Sequence, residues 1–186
     1  MSKTGVLAFN AEELVQQFRD ASKARPVSHC SVSLDNLSDH HAKVCLFSDQ
    51  HIGSKYCVFD EVRAMRDRCV REGIYVIIGG DLIEGATRHS IGAGVYEQML
   101  PPTEQVFALL DFLEPLVKSK LLISVIRGNH EQRFMKDVGL DIMALVAYVF
   151  GVPYLGGGGF NYLRVEDQRY ILYYEHGSGG PRFFHT

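Results

Sequence analysis

Three segments, "KVCLFSD" from Lys43, "IYVIIGGD" from Ile74 and "LLISVIRGNH" from Leu121, constrain the fold of this chain most. Each holds a short apolar run of strand length that closes on polar or Gly-rich residues. Between them the period changes. Val58, Val62, Met65 and Cys69 make the stripe of a helix that Gly73 ends, and "TEQVFALLDFLEPLVKSK" predicts a second helix, bent at Pro115. Strands alternating with helices predict an α/β fold with a parallel or mixed sheet, and the first of these strands is expected to be buried.

The flanks add less regular elements. Asn10 and Glu13 resemble a capping box, and Leu14, Val15, Phe18 and Ala21 repeat at helical spacing to about Arg25. Residues 26–42 predict a connector with one short strand, and "LIEGATRHSIGAGVYEQMLPP" a long loop. Ile142, Leu145, Val146 and Val149 mark a helix closed by Gly151; "GGGGFNYLRVED" then predicts a turn and strand, and "RYILYYEHG" a further strand. Gly156–Gly159 is not a phosphate loop, because no G-K-[ST] follows.

Composition narrows the classes. The 186 residues are 46% hydrophobic and 22% charged with net charge −3, which suits one soluble domain and lacks the basic footprint of a dedicated nucleic-acid binder. Nucleic acid as a transient substrate stays open. Cys30, Cys45, Cys57 and Cys69 show no C-x-x-C pairing and are expected to be reduced core residues. With no signal peptide and no apolar stretch near 18 residues, the expected location is cytoplasmic, with no membrane contact. No G-x-S-x-G nucleophile elbow occurs.

Four apolar runs end in residues able to bind a hard or borderline metal: Asp49 with His51, Asp81, Asn129 with His130, and His176. In open α/β sheets ligands gather beyond the carboxyl ends of strands, so these ends are expected to converge. Gly128 lets the chain turn after a strand that stops at Arg127, placing the Asn129 carbonyl oxygen on a metal and leaving His130 free for acid chemistry.

Together "SDQHIG", "GGDLIEG", "RGNHE" and "EHGSGG" resemble the calcineurin-like metallophosphoesterases, whose signature runs D-x-H, G-D, G-N-H-E/D, H, G-H-x-H; the resemblance covers about residues 43–178 and looks closest to bacterial and phage-encoded members. It implies an αββα sandwich with mixed sheets and a two-metal site. In that site Asp49 and His51 bind the first ion, Asp81 bridges both, and Asn129 and His176 bind the second. It also implies that His130, paired with an acid such as Glu131, protonates the leaving group or stabilises the transition state. Two cations about 3.5–4 Å apart can share a hydroxide and hold phosphate oxygens for in-line attack. Carboxylate, amide and imidazole ligands without thiolate favour manganese, then iron or zinc. Arg88, in the loop after Asp81, is placed to offer a fork to the substrate phosphate.

The chain departs from the signature at its end, where "GSGGPRFFHT" contains no G-H-x-H. The expectation is a domain incomplete at its C-terminus, with residues 1–42 forming a helix and connector and 43–186 a truncated metallophosphoesterase domain. An uncovered sheet edge then invites a second copy of the chain, and His185 is a candidate substitute ligand. The leading function is hydrolysis of a phosphomonoester or phosphodiester, DNA included, by a metal-bound hydroxide. The alternative is a catalytically impaired relative that serves as a binding domain.

Overall fold

The computed structural model describes residues 25–90 and 94–177 together with Gln16 and Asp20. In chain order its elements are β1 (His29–Ser33), β2 (Val44–Phe47), α1 (Phe59–Glu72), β3 (Tyr75–Ile78), α2 (Pro102–Lys118), β4 (Leu122–Val125), α3 (Asn129–Val138), α4 (Ile142–Phe150), β5 (Gly158–Val165) and β6 (Gln168–Glu175), with a 3-10 turn at Gly94–Glu97.

Strands β2, β3 and β4 form one parallel sheet in that order. Every residue of β3 and β4 is buried, which is why these segments read as apolar runs: a parallel strand covered on both faces has little room for polar side chains. β2 departs from the buried strand expected there. It is the sheet edge, and its side chains alternate, so Phe47 enters the core while Val44 and Leu46 are exposed.

Helices α1 and α4 stop at Gly73 and Gly151, both left-handed, as the sequence predicts. α2 runs through Pro115, whose ring removes the donor that the Asp111 carbonyl would take. Arg66 on α1 offsets this, donating from Nη1 to the carbonyls of Asp111 (3.4 Å) and Phe112 (3.0 Å) while its guanidinium lies over the Phe112 ring. The third strand is shorter than "LLISVIRGNH" suggests. It ends at Val125, and Asn129 opens α3, because the Glu131 carboxylate returns to the Gly128 N–H at 2.8 Å and caps a new helix.

The second sheet has the order β1-β5-β6, with β1 parallel and β6 antiparallel to β5. β1 is the short strand expected in the connector, and its pairing with β5 binds that connector into the sheet. The sheets meet over a buried polar pin: Cys30 Sγ and Ser124 Oγ donate to Asn161 Oδ1 at 2.8 and 2.9 Å, and Tyr174 Oη lies 2.8 Å from Ser124 Oγ. On the opposite face Phe160, Tyr162, Ile171 and Tyr173 are exposed. The result is the α/β arrangement of two sheets, one parallel and one mixed, with four helices among the described residues.

The N-terminal helix expected near Asn10–Arg25 lies outside the described residues apart from Gln16 and Asp20, which are helical and joined by hydrogen bonds of 2.9 and 3.0 Å. His185 also lies outside them. No helix among the described residues is long and apolar enough to cross a membrane.

Candidate active site

The chain after β2 is fastened to the chain after β3. Asp49 N donates to Gly80 O (3.0 Å), His51 N to Asp81 O (3.1 Å) and Ile52 N to Leu82 O (2.7 Å), and Glu84 N returns to Ile52 O (3.0 Å). Asp49, His51 and Asp81 all adopt left-handed backbone, with φ of 57°, 48° and 52°. For a non-glycine residue this costs about 1–3 kcal/mol, and such strain persists only where the surroundings enforce it. The same backbone turns three of the expected ligand residues toward one place.

The loop after β4 closes in from the other side. A Cβ on Gly128 would stand 2.0 Å from Asp81 Oδ1, and one on Gly80 would stand 2.5 Å from Gly128 N. Gly80 also has φ 89°, so both backbone freedom and absence of a side chain are required there. His130 N then donates to Asp81 Oδ1 at 2.8 Å.

His176, just past β6, completes the cluster. Its Nδ1 lies 2.8 Å from the Gly79 carbonyl oxygen, which can only accept, so the proton sits on Nδ1. The Nε2 of a neutral ring then offers its lone pair toward Asp81 Oδ2 (3.2 Å) and Asn129 Oδ1 (3.1 Å). Three acceptors facing one another need a cation or a proton between them. Burial pulls the His176 pKa down, but the Gly79 carbonyl and the charges of Asp81, Asp49 and Glu131 outweigh it and hold the pKa above the usual histidine value.

Two groups of ligand atoms result, each gathered within 4.8 Å: Asp49, Asp81 and His176, and His51, Asp81 and His130. Asp81 belongs to both, as a bridge requires, and is 3% exposed. The grouping differs from the expected one in placing Asp49 with His176 and in bringing His130 to ligand distance of His51, ring centroids 4.4 Å apart. Buried His51 Nδ1 makes no hydrogen bond among the described residues, although Glu84 Oε2 stands 3.3 Å from it. An orphaned imidazole nitrogen, a carboxylate shared by two groups and converging acceptors together fit divalent cations.

Glu131 is not where it was expected to act. The Glu131 side chain, 1% exposed, turns away from the His130 ring and, among the described residues, accepts only backbone N–H groups. The acid near both rings is instead Glu84, which the sequence reading did not single out: its Oε2 lies 3.3 Å from His51 Nδ1 and its Oε1 3.7 Å from His130 Nδ1. A carboxylate three residues after Asp81 was the available signal. The Glu84 carbonyl accepts from His130 Nδ1 (2.6 Å) and from Arg133 Nη2 (3.2 Å), leaving His130 Nε2 turned toward Asp81 Oδ2 at 4.0 Å. Arg88 is exposed, and its neighbours Thr87 and His89 are tied to Asp137 on α3. Gln105, fully buried, supports the base of that loop, accepting from Gly85 N and donating to Leu100 O, each at 2.8 Å.

Aspartate, histidine and asparagine side chains thus meet at the loop ends beyond the two sheets, where two groups of ligand atoms share Asp81. The calcineurin-like phosphoesterase profile matches residues 36–184, and the chain belongs to that family. Its members are hydrolases that bind divalent metals and cleave phosphoesters. No curated protein and no solved structure matches the chain.

Proposed function

We propose that the chain hydrolyses phosphoesters at the Asp49, His51, Asp81, Asn129, His176 cluster, using two divalent ions. The observation that carries this reading is Asp81, one buried carboxylate common to both ligand groups. The ions, when bound, supply positive charge for the phosphate oxygens and lower the pKa of the attacking water. Asp49 and Asp81 offset part of that charge, and the left-handed backbone at Asp49, His51 and Asp81 fixes their side chains before substrate arrives.

His130 handles the proton of the leaving oxygen. Its ring is oriented by the Glu84 carbonyl on Nδ1, so Nε2 faces the site. Arg88, exposed on the loop after Asp81 that Gln105 anchors, meets the outer phosphate oxygens or a neighbouring phosphate. Manganese is the favoured ion because the donors are oxygen and imidazole with no thiolate. A phosphodiester such as DNA is the substrate to test against a monoester, and a second copy of the chain and a cytoplasmic setting remain part of the same reading.

Manganese titration with bis-p-nitrophenyl phosphate and p-nitrophenyl phosphate tests the proposal, with Asp81→Ala and His130→Ala as comparisons. Manganese-dependent turnover lost in both variants supports it. A wild-type rate equal to that of Asp81→Ala at saturating manganese contradicts it.

A further inference from the structure

Glu131 is a buried carboxylate that the hydrolytic reading does not use. Its Oε2 accepts from Asp81 N (2.9 Å) and Gly128 N (2.8 Å), and its Oε1 from Leu82 N (2.7 Å) and Ile83 N (3.2 Å). Three consecutive N–H groups turned to one anion form a nest, an arrangement that suits an external anion and here is filled by the chain's own side chain. Charge-assisted bonds of this kind are about twice as strong as neutral ones. Glu131 belongs to neither ligand group.

Two further observations give the contact a direction. Asp81 is held in a strained left-handed conformation, and the residue beside Glu131 grips the same aspartate from its other end, His130 N donating to Asp81 Oδ1. With Gly80 and Gly128 in contact behind it, Asp81 is fixed at backbone and carboxylate by one turn of α3.

We propose that Glu131 is a positioning residue whose four backbone hydrogen bonds hold Asp81 in the one orientation that lets its carboxylate serve both ligand groups. This rests on the metal-dependent reading above. Glu131 touches neither ion nor substrate and acts through Asp81 alone.

The test uses the full chain. Glu131→Gln places an NH₂ where one oxygen accepted two N–H groups, so it loses at least half of the contacts. Its manganese affinity, measured by calorimetry on protein that circular dichroism shows to be folded, is expected to fall about 10- to 100-fold, as for other residues that orient a ligand. The kcat for bis-p-nitrophenyl phosphate falls with it, while KM stays within about twofold. Glu131→Asp, which keeps the charge on a shorter arm, lies between. Arg66→Met is the stability control: it lowers the melting temperature and leaves manganese affinity unchanged.

Folded Glu131→Gln with wild-type manganese affinity overturns the inference, as does an affinity loss matched by Arg66→Met. If Glu131→Gln fails to fold, Glu131→Asp and amide exchange in the wild type decide: the N–H groups of Asp81, Leu82, Ile83 and Gly128 exchange slowly as a set, or the clamp does not exist. Wild-type protein that binds no manganese contradicts the proposed function, and the exchange result still judges the clamp.

Discussion

Gly128→Ala is the smallest change that reaches the centre of the site. Gly128 has φ −94° and ψ −169°, extended backbone that alanine adopts freely, so the substitution carries no conformational strain of its own. Its whole effect is steric. The new methyl would lie 2.0 Å from Asp81 Oδ1, 2.4 Å from Asp81 N and 2.7 Å from Asp81 Cγ. Ordinary carbon contacts begin near 3.5 Å, so the Asp81 carboxylate must retreat by about 1 Å or more. A misplacement of that size costs about 100-fold in rate, or about 2.7 kcal/mol in the barrier. Overpacking also lowers stability by about 1–3 kcal/mol, which a marginal domain survives. The assay is kcat for bis-p-nitrophenyl phosphate at saturating manganese, with urea unfolding alongside. Gly157→Ala, whose methyl meets nothing within 4 Å, is the matched control. A folded Gly128→Ala enzyme with wild-type kcat and manganese affinity refutes the claim that the contact between the loops sets Asp81.

Other tests address the scaffold. Arg66→Met leaves the carbonyls of Asp111 and Phe112 without their donor and is expected to cost about 1–3 kcal/mol in urea unfolding; a change within experimental error would show that these bonds are not needed. The Cys69 thiol is pushed up to about 11 by burial and then by Cys45, so a thiol reagent at pH 8 labels it only after unfolding, and rapid labelling of the native chain would contradict its placement. His40 is raised above the usual histidine value by its hydrogen bond and charge pairing with Glu166. A raised folded pKa means that this pair stabilises the fold fully below pH 6.5 and loses that contribution as pH climbs through the raised value. An NMR titration of Glu166→Gln is expected to move His40 back toward 6.5, and an unmoved pKa would remove Glu166 as the cause.

The parallel sheet was legible because β3 and β4 are covered on both faces, which leaves continuous apolar runs that no loop produces. β2 misled for the opposite reason: four apolar residues look the same in a core strand and at an edge where every second one meets solvent. The residues Asp49, His51, Asp81, Asn129, His130 and His176 could be gathered from sequence since each follows a strand end. Their left-handed backbone could not, because φ at a non-glycine residue is set by hydrogen bonds to a neighbouring loop distant in sequence. The acid beside His130 was misassigned from sequence for a related reason. The family resemblance implied Glu131 as the acid paired with His130, but the start of α3 rotates that carboxylate toward the backbone of residues 81–83 and leaves the imidazoles to Glu84. The short strand in the connector was anticipated, whereas its parallel pairing with β5, more than a hundred residues away, leaves no local trace.

The most direct test of the account is the stoichiometry of manganese binding, followed by calorimetry and by electron paramagnetic resonance for wild type and Asp81→Asn. The account predicts two ions bound to the wild type with a spin-coupled signal, and loss of the coupling with at most one ion in Asp81→Asn. Wild-type protein that binds no manganese, or an Asp81→Asn protein that binds a coupled pair as the wild type does, would contradict a site built around one shared carboxylate.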